Sequence, residues 1–117
     1  MKDERLKLID SIVIESDFGL CTLNIVDPLP WADDDDDHLT ELQSKINNCL
    51  QYIESSEIYI AYPASRGFDM AIHVQFIYTP NEEANRFLQE AQNILGDAGY
   101  EFSYGPLGSD YAIAAAD

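Results

Sequence analysis

The segment Asp69–Tyr78, DMAIHVQFIY, leaves its backbone little choice. Met70, Ile72, Val74, Phe76 and Tyr78 alternate with Ala71, His73, Gln75 and Ile77. Strict alternation over ten residues matches the pleat of a β-strand. A strand with so apolar a face needs cover, and two helical stripes in the chain supply it.

The first stripe is Leu39, Leu42, Ile46, Cys49, Leu50 and Ile53, at spacings of three and four, which predicts a helix from about Asp36 to Ser55. Polar Gln43, Lys45, Asn47 and Gln51 fall opposite. The second helix opens at TPNE, where Thr79 takes the N-cap, Pro80 the first helical position and Glu82 the third, as in a capping box. Its stripe is Ala84, Phe87, Leu88, Ala91, Ile94 and Leu95, with Gly96 as the left-handed stop.

The remaining strands are read from shorter runs. Residues 8–26 form a hairpin turned at SDFG, with Cys21, Leu23 and Ile25 on one face and Thr22 and Asn24 on the other. The prolines of DPLPW end that sheet segment. EIYIAY, residues 57–62, reads as a short strand before a turn around Pro63–Gly67, and YEFSY as a final strand with Tyr100, Phe102 and Tyr104 on one face. The expected order is ββαββαβ. This is an α+β two-layer sandwich, with both helices on one face of a largely antiparallel sheet. One domain spans residues 1–117, with loosely packed ends at 1–7 and about 106–117.

Charge narrows the function. The chain carries 22 acids and 6 bases, formally −16. Three of those bases lie within the first seven residues, so from residue 8 onward the balance is −17. Such a body repels phosphate backbones and anionic lipid, which argues against nucleic acid and membrane partners and in favour of basic proteins or cations. The N-terminus has no apolar core of a signal peptide, and no window is long and apolar enough for a membrane helix. With two cysteines, Cys21 and Cys49, in apolar-patterned segments, a reducing, cytoplasmic setting is expected.

Five consecutive aspartates, Asp33–Asp37, precede the first helix. A calcium loop starting at Asp33 would match at Asp33, Asp35 and Asp37, but it puts His38 where glycine belongs and Ser44 where the closing glutamate belongs. Helix capping and the positive end of the helix dipole account for one or two of the five. The surplus is left to solvation or to a basic partner. The candidate partner-binding patch is therefore Trp31, Asp33, Asp34, Asp35, Asp36, Asp37 and Glu41, together with Tyr59 and Tyr62, whose amphipathic rings suit interfaces.

Catalysis finds no constellation. His38 and His73 lie in different elements, both cysteines fall on apolar faces, and no nucleophile elbow, zinc motif or phosphate loop occurs. No catalytic residue, metal ligand or cofactor is assigned, and the chain is read as not an enzyme.

The hairpin, the Trp31–acidic helix start, YIESSEIYIAYP (Tyr52–Pro63) and the TP-initiated helix with its terminal strand resemble a family of small, uncharacterised bacterial proteins, a domain of unknown function. The resemblance spans roughly residues 9–105 and implies a bacterial, intracellular, single-domain protein without an assigned activity. The leading expectation is a non-catalytic, acidic protein-binding module, such as an immunity or antitoxin-like inhibitor of a basic protein. The alternatives are a homo-oligomeric structural protein (a homodimer, for example) pairing through the open sheet face, and a small-molecule or cation-binding domain.

Overall fold

The computed structural model describes residues 9–32, 36–108 and 110–111. The hairpin forms as its turn residues dictate: β1 (Ser11–Glu15) pairs antiparallel with β2 (Leu20–Asp27), and Gly19 takes φ 63° in the turn. β2 runs one residue past the expected alternation, which brings Asp27 onto the face of Cys21, Leu23 and Ile25. The chain then enters α1 (Asp36–Glu54), whose buried stripe includes Leu42, Ile46, Cys49 and Ile53.

The expected strand at 57–62 is instead a helical turn, α2 (Glu57–Ala61). Strand-forming side chains lose to burial here. A strand would send Ile58 and Ile60 to the same face, whereas the helix leaves Ile58 fully buried and Ile60 78% exposed. Ser56, at φ 68°, separates α1 from α2, and Tyr62 N–H closes the turn on the Ile58 carbonyl at 2.7 Å. A 3-10 turn (Pro63–Ser65) leads into β3 (Asp69–Phe76), then come α3 (Glu82–Asp97) and β4 (Glu101–Pro106).

Losing that strand changes the sheet. Four strands stand in the order β1-β2-β3-β4, and β2–β3 and β3–β4 are parallel. The sheet is therefore mixed rather than largely antiparallel, and the order is ββαβαβ with α2 added rather than ββαββαβ. The reason is directional: a helix that returns the chain to the starting edge makes the next strand parallel, and an extra strand would have reversed it. Cys21, Leu23 and Ile25 lie beside Met70, Ile72 and Val74 in register, and Ile72 beside Phe102. These side chains share one buried cluster with Leu42, Ile46, Cys49 and Ile53 of α1 and Leu88 and Leu95 of α3. The other face of the sheet is more exposed and mixed: Val13, Leu20, Val26 and a buried Ala71 share it with a polar register row of Ser11, Asn24, His73 and Ser103 across all four strands.

Both ends of α3 differ from the expected signals. Asn81, not Thr79, is the N-cap, its Oδ1 accepting from Ala84 N–H at 2.8 Å. Gly96 lies inside the helix, and the left-handed residue is Gly99 at φ 93°. Gly99 N–H donates to the Gly96 carbonyl and Tyr100 N–H to the Leu95 carbonyl, the paired bonds of a Schellman stop.

The two glycines therefore predict opposite effects. A Cβ at either meets nothing within 4 Å, so only the backbone decides. Gly96→Ala raises stability by about 0.5–1 kcal/mol as a helix interior position. Gly99→Ala lowers it by about 1–2 kcal/mol because alanine resists positive φ. Urea denaturation followed by circular dichroism measures both. Equal signs would contradict the assigned helix end.

Candidate functional site

The parallel strands β2 and β3 end on the same side of the molecule, where α1 and α3 begin. Asp27 is the last residue of β2 and is 4% exposed. Opposite it His38, in the first turn of α1, is 6% exposed. His38 Nε2 lies 2.8 and 2.7 Å from the two carboxylate oxygens of Asp27. A carboxylate only accepts, so Nε2 carries the hydrogen and donates to it. The Leu29 N–H also donates to Asp27 Oδ1, at 3.2 Å, and folds the chain back just after Pro28. One carboxylate thus fixes both the exit from β2 and the start of α1.

Trp31 closes this corner. Its ring stacks on the His38 imidazole with centroids 3.5 Å apart and planes 12° from parallel, and it meets Phe76 edge-on at 6.3 Å. The indole is half-buried against the core, and its Nε1 is buried with no hydrogen-bond partner among the described residues. Asn81 ties the same segment to α3, donating from Nδ2 to the Ala32 carbonyl at 2.7 Å while it caps the helix.

Outside the corner lies an open depression of about 510 Å³ lined by Leu29, Pro30, Asp37, His38 and Glu41. Asp36, Asp37 and Glu41 are exposed, and Leu29 is 49% exposed beside them. Asp33, Asp34 and Asp35 lie outside the described residues. Tyr59 and Tyr62 are not near this place. They sit beyond the far end of α1, and 19 helical residues separate the two ends by about 27 Å. There Tyr59 lines a different depression, with Ile60 and Arg66. Of the six expected patch residues that are described, Trp31, Asp36, Asp37 and Glu41 stand at one end of α1 and the two tyrosines at the other.

Sequence reasoning passed over Asp27 and set His38 aside, although both carried a signal. Asp27 keeps the alternation of Cys21, Leu23 and Ile25, which marks an acid on a buried face. His38 precedes Leu42 by four, which puts it on the buried stripe of α1. His73 is half-buried on the other face of the sheet, with Nδ1 2.7 Å from Ser103 Oγ. Burial lowers its pKa, and the backbone of Ser103 opposes that shift through a hydrogen bond. Burial raises the thiol of Cys21, and it pushes Cys49 up to about 12 with a smaller contribution from the charge of Asp10.

The model of DUF6572, a family of unknown function, matches residues 1–108. No curated protein and no solved structure matches the chain.

Asp27→Ala and His38→Ala each lower stability by about 1–3 kcal/mol, because each leaves a buried polar partner without its bond. The double substitution costs less than the sum of the two, since the first already breaks the pair. Urea unfolding of the four proteins gives the coupling, and strict additivity would mean the two side chains act independently. The thiols make a separate prediction. At pH 8 neither Cys21 nor Cys49 reacts with a thiol reagent in the native protein, and both react in urea. Because the folded pKa of Cys49 is raised, the stability it contributes is intact below pH 9.0 and fades as pH rises towards about 12.

Proposed function

The chain belongs to DUF6572, and as that family has no known function, we propose one from geometry and charge: a non-catalytic module that binds a basic protein, as an immunity protein or antitoxin does. The observation that carries this reading is the mixed character of the depression at the start of α1. Asp37 and Glu41 offer charge, and Leu29 and Pro30 offer apolar contact, within one open concavity. An acidic rim around exposed apolar groups suits a protein surface rich in lysine and arginine. The net charge of −16 favours the same class of partner by speeding its encounter.

Binding is favoured over catalysis for a specific reason. His38 is the titratable side chain best placed to serve as a base at the depression, yet it is buried and its Nε2 is engaged by Asp27. Its role in this reading is to hold α1 so that Asp36, Asp37 and Glu41 present a fixed face. The helix front is a rigid acidic platform, and a rigid platform loses little entropy on binding.

The test is capture from a lysate of the native organism at low salt and at about 0.5 M salt, where charge is screened within a few ångströms. A single basic protein retained at the higher salt is the expected result. Its association with Asp36→Asn/Asp37→Asn/Glu41→Gln is then expected to be about tenfold slower at low salt, with a weaker salt dependence. An unchanged association rate would overturn the assignment of this face.

A further inference from the structure

We propose that the groove between α1 and α3 is a second docking surface, shaped for an amphipathic helix with basic shoulders from a partner protein. The reading above supplies only the sign of the partner's charge; the place and the shape come from the helical layer.

α1 and α3 both cover the same face of the sheet, and the seam between them is not filled. A shallow groove of about 160 Å³ is lined chiefly by Ile46, Leu50, Phe87, Ala91, Ile94 and Leu95. Leu50 and Phe87 are only half-buried, and Ile94 is 60% exposed on the outer surface of α3. The seam from Phe87 to Ile94 covers about two helical turns, the length over which a docked helix presents anchors at i, i+4 and i+7.

Charge selects the occupant. Glu90 stands on the groove itself, and each of the two helices carries four acids against one base. Glu83 and Asp97 continue the ridges of Phe87 and Ile94 at helical spacing, and Glu54 continues that of Leu50. An incoming helix that buries leucines in the seam therefore sets its flanking residues against carboxylates, and lysine or arginine there is attracted. A second copy of this chain would bring the same carboxylates face to face across a two-fold axis, which disfavours it. An anionic membrane is disfavoured by the same sign.

The probe is a synthetic amphipathic peptide with leucines at i, i+4 and i+7 and lysines on both shoulders, titrated into the 15N-labelled protein; a glutamate-shouldered analogue is the control. The lysine peptide is expected to shift the amides of Leu50, Phe87 and Ile94, and the glutamate peptide to leave them unmoved. Ile94→Glu is expected to weaken binding about tenfold or more, as the loss of a central apolar anchor does. Because Ile94 is exposed, that variant keeps its fold, which circular dichroism verifies, and Ile94→Gln repeats the test without added charge. Asp36→Asn/Asp37→Asn/Glu41→Gln leaves the affinity within about twofold.

Equal binding of both peptides, no effect of either Ile94 substitution, or no shift in the seam overturns the proposal. Shifts confined to Asp36, Asp37 and Glu41 overturn the groove while leaving the acidic-front reading intact. If the groove binds the lysine peptide but the lysate yields no partner sensitive to the front acids, the acidic front falls and the groove stands. A dimer seen by sedimentation that Ile94→Glu dissolves assigns the seam to self-pairing and overturns the proposal as well.

Discussion

A helix that crosses from one strand to the next fixes the direction of that next strand, and most of this architecture follows from applying the rule twice. Because α1 and α3 each return the chain to its starting edge, β2, β3 and β4 all run the same way. Their carboxyl ends therefore gather at one pole, and the amino ends of both long helices gather there too. Asp27 and His38 belong to elements that meet for this reason alone. In an antiparallel sheet with a fifth strand, the end of β2 and the end of β3 would lie at opposite poles, and Trp31 could not touch Phe76.

That pole also concentrates like charge. Asp36 and Asp37 open α1, and Glu82 and Glu83 open α3, so each positive helix end is met by its own carboxylates. The chain thereby uses up the attraction that helix amino ends offer to anionic ligands and leaves an excess of negative field outside. The buried Asp27 differs from these surface acids: two donors converge on its carboxylate, the His38 Nε2–H shared between the two oxygens and the Leu29 N–H. One acid organises structure, while its neighbours set the sign of the surface.

How far the sequence could be read depended on whether local pattern and tertiary packing agreed. The alternation of β3, the stripe of α1 and the hairpin at Gly19 were legible because a single periodicity decided each. EIYIAY was misread because isoleucine and tyrosine favour strands in isolation, whereas the need to bury Ile58 beside the end of α1 favoured a helical turn. The cap of α3 shifted from Thr79 to Asn81 because asparagine serves twice there, capping the helix and holding Ala32 across the loop. A second role of that kind leaves no trace in local spacing. The corner of Asp27, His38 and Trp31 was half legible: burial could be read from parity, but the meeting of the three residues depended on the strand direction that the extra strand had obscured.

Trp31 is the sole indole of the chain, and it lies flat against one imidazole. Its emission is therefore a local instrument. It reports whether the start of α1 remains docked on the end of β2, and it is nearly blind to α2 and the distant tyrosines. Circular dichroism, by contrast, counts the helices as a whole. If the corner loosens before the core does, an optical unfolding curve will run ahead of the dichroic one, and the separation of the two midpoints will mark the acidic pole as a unit that opens on its own, less stable than the core.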